Sequence, residues 1–233
     1  SWITNQYDQS VMCDTIQKSG SDAAIIRIHN KDKAIAVSVD SSANYCKSHP
    51  MTGGKQIVCE NWRNLITVGA KPLAITNCLN FGNPENNEIM GEFAECLQGI
   101  KEACEFLNYP VVSGNVSFYN GTNKKNIYPT PVIGGVGLIK KLSQPLNHYF
   151  KGHNNKLILI GKTFGHLEQS CFLKENYSID IGMPPEINLL NEKNNGESLL
   201  KLIEKNLVLS SHDISNGGLI TALSEMAINS DYG

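Results

Sequence analysis

One stretch of the sequence carries two oxygen-bearing side chains at a spacing that suits a metal ion. Glu60 and Asn64 are four positions apart, so both would project from the same face of a helix. Carboxylate and amide oxygens are ligands that Mg²⁺ accepts in proteins. Taken alone, the spacing favours the commoner case, which is an exposed polar face of a helix.

A second group of polar residues interrupts an apolar strand pattern at residues 113–117. Gly114 would allow a phosphate or another backbone to approach closely. Asn115 and Ser117 are two positions apart, and they therefore share one face of a strand. Because buried polar groups need partners, these side chains would either bind a metal and a ligand or cap a turn.

A third polar segment, residues 211–218, separates an apolar stretch from the start of a predicted helix. Free N–H groups at a helix N-terminus bind anions, and glycines there let a phosphate come close. Ser215 or Asn216 could equally be an ordinary N-cap. A lone histidine such as His212 is more commonly structural than catalytic. Residues 77–84, with three Asn followed by Pro84, read first as a turn.

Alternating strands and helices must position these groups. The predicted strands are residues 22–28, 34–40, 71–80, 111–118, 131–139, 156–161 and 207–211. The predicted helices are residues 55–68 after a Gly pair, the strongly periodic 89–107, 197–205 and 218–229. This alternation indicates a mixed α/β or α+β fold. A polar stretch at residues 141–155 divides the chain into predicted domains 1–145 and 152–233.

The composition narrows the class of protein further. With 41% hydrophobic and 18% charged residues among 233, the chain can bury a core. A net charge of −2 provides no basic face for nucleic acid. No apolar run approaches the roughly 20 residues that span a bilayer. Seven cysteines without a C-x-x-C pattern indicate reduced thiols in a cytoplasmic protein, neither a disulfide framework nor a zinc site.

Several of these segments together resemble one enzyme family. Residues 73–85, 110–120 and 212–218 are similar to signatures of the phosphoribosylformylglycinamidine synthase (FGAM synthase) large subunit, and residues 7–9 and 20–24 fit the same family. Such enzymes contain two tandem aminoimidazole-ribonucleotide-synthetase-like units. The resemblance implies that the chain is most of the second unit, with an N-terminal sheet domain and the start of a C-terminal α/β domain.

The resemblance also implies an activity. The family converts formylglycinamide ribonucleotide, ATP and glutamine-derived ammonia to formylglycinamidine ribonucleotide, ADP and phosphate. We therefore expect an ATP-dependent ligase of purine biosynthesis that uses ATP and Mg²⁺. The expected partners are the first synthetase-like unit of the same polypeptide, a glutaminase subunit and a small bridging subunit, with no nucleic acid and no membrane.

Site residues follow from the resemblance position by position. Asn77 and Gly114 are expected to contact ATP, Asn115 to bind Mg²⁺ and Ser117 to contact the ribonucleotide substrate. Asn77 and Asn216 stand where the family usually has Asp, and an Asn keeps an acceptor oxygen but loses the charge. The family's catalytic His and ATP-binding Lys lie in the first unit. No catalytic residue is therefore expected here, and the chain alone is expected to be inactive.

A second set of residues resembles an auxiliary nucleotide site of the long forms of the enzyme. The resemblance implies metal ligands at Asp22, Glu60, Asn64 and Asp213, with Ser215 near the nucleotide. This set leaves open an alternative role, in which the chain is a non-catalytic structural half that holds a nucleotide. A related synthetase of the same superfamily is the other alternative.

Overall fold

The strands of the fold form one large sheet and one small ribbon. A computed structural model describes residues 2–3, 6–123, 125–143, 145–228 and 230–232. Its strands are β1 (Thr15–Gln17), β2 (Ala24–Arg27), β3 (Ala34–Asp40), β4 (Lys71–Asn80), β5 (Val111–Ser117), β6 (Gly121–Thr122), β7 (Lys125–Asn126) and β8 (Thr130–Ile139). The large sheet has the order β1-β2-β3-β8-β4-β5. Only its β4–β5 pair is parallel.

Six helices lie in the described residues, and some of them cover one face of the large sheet. The six are α1 (Ala43–Ser48), α2 (Pro50–Thr67), α3 (Asn87–Leu107), α4 (Cys171–Tyr177), α5 (Leu189–Glu204) and α6 (Gly218–Ile228). Helix α2 packs on β3, β8 and β4, while α3 and α5 pack against α2. The hydrophobic core lies between these layers. No helix in the described ranges is long and apolar enough to cross a membrane.

Alternation along the strands separates a covered face from an open face. On β3, Ala34 and Ala36 are fully buried, whereas Val39 is 67% exposed. The register pairs Ile35 with Leu138 and Val39 with Gly134, so these positions share the face away from α2. The open face is therefore partly apolar, and α2 occupies the other one.

Helix α2 begins earlier than predicted. The Gly pair at residues 53–54 suggested a break, but the helix starts at Pro50, with the ring of His49 accepting from the N–H of Thr52 at 3.3 Å. Gly54 is required inside the helix because a Cβ there would lie 2.4 Å from the carbonyl oxygen of Cys96 in α3. The pair therefore marks a close helix–helix contact rather than a helix start.

Two predicted strands in the C-terminal half are wrong. Residues 156–161 and 207–211 have no strand partner in the described chain, and Ile158 is 76% exposed. An apolar run forms a strand only when a neighbouring strand accepts its backbone hydrogen bonds.

The predicted helix 197–205 begins earlier than expected. It starts at Leu189, because the Asn188 side chain accepts from the N–H of Asn191.

The fold class and much of the sheet agree with the sequence. Strands 34–40 and 71–80 have the predicted bounds, and the periodic helix 89–107 starts only two residues earlier. A six-stranded sheet with six described helices confirms the mixed α/β class.

The close contact at Gly54 gives a stability test in the intact protein, by which we mean this chain together with any sequence that adjoins it in the cell. Gly54→Ala should lower the free energy of unfolding by ~1–3 kcal/mol, because α2 and α3 must separate. The matched control is Gly91→Ala in α3, where a Cβ meets nothing within 4 Å and stability should rise by ~1 kcal/mol. Urea denaturation measures both, and equal effects would contradict the close packing.

Candidate functional site

Polar side chains of α2 meet the carboxyl end of β3. Asn61 is fully buried and Asn64 is 7% exposed. The Nδ2 of Asn61 donates to Asp40 Oδ2 at 2.7 Å, and the Nδ2 of Asn64 donates to Asp40 Oδ1 at 2.8 Å. Glu60 is half-buried on the same helix, and no donor to its carboxylate is recorded among the described residues. The predicted Glu60–Asn64 face therefore points into the protein, not into solvent.

Two loops that are far apart in sequence bring further carboxylates to this region. Asp22 precedes β2, and Asp213 precedes α6. The backbone N–H of Asp213 donates to Asp22 Oδ2 at 3.3 Å, and His212 Nδ1 lies 2.5 Å from Asp22 Oδ1. One ligand atom from each of these three residues lies within 4.8 Å of the other two. We call Asp22, Asp40, Glu60, Asn64 and Asp213 the carboxylate cluster.

Arg63 links these loops to α2, but incompletely. Its Nη1 lies 2.7 Å from Glu192 Oε1 of α5, and its Nε lies 3.8 Å from Asp213 Oδ2. The latter distance is too long for a hydrogen bond. Asp213 Oδ2 is thus buried without a hydrogen-bond partner, in a residue that is only 6% exposed.

The carboxylates of the cluster also disfavour one another's charge. Burial, together with the charges of Asp40 and Asp213, raises the pKa of Glu60 to about 7 despite the opposing effect of Arg63. Burial raises the pKa of Asp213 to about 6, and it also raises the pKa of Asp40. These groups are ionised at a cost that a nearby cation would offset.

The residues present fit Mg²⁺. The four predicted ligands, Asp22, Glu60, Asn64 and Asp213, offer carboxylate and amide oxygens, which hard divalent cations prefer. The buried, unpartnered Oδ2 of Asp213 is an acceptor that lacks a donor in the described chain.

The sequence alone did not reveal Asp40 or Arg63 as neighbours of the predicted metal ligands. The one indication in the sequence was that Arg63 directly precedes Asn64 on the predicted helix, which places it close to a predicted ligand.

His212 acts as a cation beside the cluster. Burial alone would lower its pKa, but hydrogen bonds to Asp22 and to Glu225, whose Oε2 lies 3.0 Å from Nε2, outweigh burial and raise the pKa to about 9. A protonated imidazole donates from both ring nitrogens, which matches two carboxylate acceptors. The structural interpretation of His212 is therefore the better one, because it holds Asp22 in place.

Another polar group lies at the β4–β5 edge of the sheet. The register pairs Asn77 with Gly114. Asn77 is two residues after Ile75, which is 1% exposed, so Asn77 and Gly114 lie on the covered face of the sheet. Asn115 and Ser117 follow the opposite alternation, so they belong to the open face. Asn115 is exposed. We call Asn77, Gly114, Asn115 and Ser117 the strand-edge group.

The contacts within the strand-edge group are local. A Cβ on Gly114 would lie 1.9 Å from Asn77 Oδ1, so only glycine fits beside this side chain. The Ser117 hydroxyl donates to Asn120 Oδ1 at 3.2 Å. The structure therefore divides the predicted ATP, Mg²⁺ and substrate residues between two faces of one strand edge.

The structure does not join the two predicted sets. No hydrogen bond or ion pair between the carboxylate cluster and the strand-edge group is recorded in the described ranges. Ser215 is exposed in the loop before α6, where its carbonyl accepts from the N–H of Gly218 at 3.1 Å. The register pairs both Asp40 and Asn77 with Ile133 of β8, so these two members of the groups stand two strands apart on the same face of the sheet.

Sequence comparison assigns the class of protein to which this fold and these sites belong. Residues 20–139 match the family described as AIR synthase related protein, N-terminal domain. Residues 153–233 match AIR synthase related protein, C-terminal domain. The chain belongs to the AIR synthase related protein family.

Comparison with individual proteins gives a more specific similarity than the family match does. The chain is 61% identical over 232 residues to the phosphoribosylformylglycinamidine synthase subunit PurL of Pelagibacter ubique. The aligned region covers 100% of this chain and 32% of that protein. It is 47% identical over 232 residues to the PurL subunit of Bradyrhizobium diazoefficiens, again over 100% of this chain and 32% of that protein. The chain spans about a third of the length of these curated relatives.

Solved structures show the same similarity. Thermotoga maritima PurL complexed with FGAR matches with a TM-score of 0.65 and 26% identity, over 96% of this chain and 32% of that one. T. maritima PurL complexed with ATP matches with a TM-score of 0.64 and 26% identity, over 96% and 33%. The structure of PurLQS from the same organism matches with a TM-score of 0.58 and 35% identity, over 63% and 24%.

The raised pKa of Glu60 predicts that the cluster destabilises the metal-free protein. In the intact protein with EDTA at pH 8, Glu60→Gln should raise the free energy of unfolding by roughly 3 kcal/mol, since the pKa is raised from 4.5 to about 7 and each pKa unit corresponds to ~1.4 kcal/mol. The advantage should shrink as the pH falls below about 7 and vanish below the ordinary value of 4.5, because the carboxyl is then protonated in both states.

The control for this measurement is Glu95→Gln, an exposed glutamate of α3, which should leave stability unchanged. Adding Mg²⁺ should raise the unfolding temperature of the wild type more than that of Glu60→Gln. A loss of stability in Glu60→Gln under metal-free conditions at pH 8 would contradict the repulsion between the carboxylates.

Proposed function

We propose that the chain is part of an FGAM synthase, an ATP-dependent ligase of purine biosynthesis. The enzyme would convert formylglycinamide ribonucleotide, ATP and glutamine-derived ammonia to formylglycinamidine ribonucleotide, ADP and phosphate. The observation that carries the proposal is the 61% identity to a PurL subunit along the full chain. All seven cysteines are free thiols, as expected in a cytoplasmic enzyme.

The proposed reaction activates an amide. ATP phosphorylates the oxygen of the glycinamide carbonyl, ammonia adds to the carbon of that carbonyl, and phosphate leaves with the oxygen, while the formyl group stays unchanged. Such a reaction depends on positioning of the reactants and on compensation of phosphate charge. We assign no catalytic base to this chain, which in our proposal supplies binding groups only.

The strand-edge group would supply the contacts to ATP and the ribonucleotide. The atoms nearest to a Cβ at Gly114 belong to Asn77, whose side-chain amide can accept or donate a hydrogen bond. Asn115 would hold Mg²⁺, which offsets the charge of the phosphates when bound. The exposure of Asn115 supports this role, and so does the absence of any recorded hydrogen bond to its side chain within the described residues. Ser117 would contact the ribonucleotide.

The open face of the sheet would hold the first synthetase-like unit of the same polypeptide. Exposed apolar side chains on this face include Ile26 at 41%, Val39 at 67% and Val136 at 38%. Apolar groups of this kind are covered in stable assemblies. The relative from P. ubique is named a subunit, which supports an assembly with further subunits. In our proposal these are a glutaminase subunit and a small bridging subunit. We retain 1–145 and 152–233 as the proposed domains.

The carboxylate cluster favours a second role within the same protein, an auxiliary site that holds Mg²⁺ and a nucleotide without turnover. The observation behind it is the buried, unpartnered Oδ2 of Asp213 among carboxylates with raised pKa. Asp22, Glu60, Asn64 and Asp213 would bind the cation, and Ser215 would lie near the nucleotide.

The ligase proposal is tested with the variant Asn115→Ala in the intact protein supplied with ammonium, ATP and formylglycinamide ribonucleotide. We expect kcat/KM to fall roughly 100-fold, since losing a metal ligand removes several kcal/mol of stabilisation. The unfolding temperature should not change, because Asn115 is exposed.

The matched control is Ser113→Ala, two residues earlier on the same strand face, which should keep nearly full activity. Equal losses in both variants would contradict the assignment of Asn115. A wild-type product other than formylglycinamidine ribonucleotide would instead favour another synthetase of the superfamily.

The auxiliary role predicts a tightly held nucleotide. Unfolding of the purified intact protein should release nucleotide and Mg²⁺ in near-stoichiometric amounts, measured by chromatography and by elemental analysis. Asp213→Asn should reduce both, because it weakens a buried acceptor of the cluster that lacks a donor in the described chain. Unchanged nucleotide and Mg²⁺ content in this variant would contradict the auxiliary site.

A further inference from the structure

A chain of buried hydrogen bonds runs from the connection between α3 and β5 to the carboxylate cluster. The hydroxyl of Tyr109 donates to Asn61 Oδ1 at 2.7 Å. The Nδ2 of Asn61 donates to Asp40 Oδ2 at 2.7 Å, and Ser38 Oγ donates to the same oxygen at 2.7 Å. Tyr109 and Asn61 are fully buried. The Asp40 carboxylate is therefore fixed from one side by two donors.

The other oxygen of Asp40 faces Asn64. Asp40 Oδ1 accepts from Asn64 Nδ2 at 2.8 Å, and the same nitrogen lies 3.5 Å from Ser38 Oγ. An ionised carboxylate can only accept hydrogen bonds, so it requires the NH₂ side of the Asn64 amide. The amide oxygen must then point away from Asp40, and no donor to it is recorded within the described ranges.

We propose that Asp40 is a positioning residue for the cation site: it fixes the Asn64 amide so that the oxygen, and not the NH₂ group, is presented to the cation. The inference rests on the proposed Mg²⁺ site. Asp40 is not itself assigned as a ligand, because both its oxygens are already engaged by Asn61, Ser38 and Asn64. Partners of this kind, which orient a metal ligand, typically change metal affinity when they are lost.

The variant Asp40→Asn tests the orientation. Asn61 and Ser38 keep the remaining oxygen of the side chain at position 40 on their side. The introduced NH₂ then faces Asn64, whose amide must turn over to accept from it. The NH₂ of Asn64 would then point at the cation, so Mn²⁺ affinity should fall at least ~10-fold. Electron paramagnetic resonance titration of nucleotide-free intact protein with Mn²⁺ measures the affinity.

A double variant provides the rescue. In Asp40→Asn with Asn64→Asp, the carboxylate moves to position 64, accepts from the new amide with one oxygen and offers the other to the cation. The net charge equals that of the wild type, and Mn²⁺ affinity should return to within ~3-fold of it. The control Tyr109→Phe removes the hydrogen bond at the far end of the chain. It should lower the unfolding temperature while leaving Mn²⁺ affinity unchanged.

The outcomes separate the two levels of the proposal. If Asp213→Asn binds Mn²⁺ as tightly as the wild type, the proposed cation site is wrong, and the role of Asp40 fails with it. If Asp213→Asn loses Mn²⁺ but Asp40→Asn retains it, only the positioning role is wrong. Weak binding by Asp40→Asn without rescue in the double variant also overturns the positioning role, because general damage to the fold then explains the loss.

Discussion

The burial of carboxylates around α2 is the constraint on which the candidate site depends. Removing an ionised group from water is costly unless hydrogen bonds or opposite charges compensate it. Here Asn61, Asn64 and Ser38 compensate Asp40, and His212 compensates Asp22. Arg63 only partly compensates Asp213. The strands, the helix and both loops must therefore assemble together before these buried charges are compensated.

The sheet and its main helices could be predicted because their patterns are local. Alternation along residues 34–40 and 71–80 reflects one covered and one open face, and the helix at 89–107 repeats its apolar positions every three or four residues. The resemblance predicted five metal ligands. The structure places Asp22, Glu60, Asn64 and Asp213 in one region and Asn115 on β5, and their role as ligands stays a prediction. The spacing of Glu60 and Asn64 did not distinguish an exposed polar face from an internal one. The burial of Asn64 shows that this face of the helix is internal.

Contacts between distant segments could not be predicted from local patterns. Asn64 and Asp40 are 24 positions apart, and His212 and Asp22 are 190 apart, so no periodicity connects them. The residues missed around the site, Asp40 and Arg63, belong to this class. The incorrect strand at 156–161 has the same origin, because hydrogen bonding to a neighbouring strand decides whether an apolar run becomes a strand.

The position of β5 has a consequence for handling the polypeptide. Within the described residues it pairs with β4 on one side only, and its outer backbone groups stand beside Val112, which is 71% exposed. An uncovered strand border with apolar side chains is a template for adding strands from other molecules. Concentrated solutions of the polypeptide without a covering neighbour should therefore self-associate along this border, and a Lys or Pro placed there would suppress such growth.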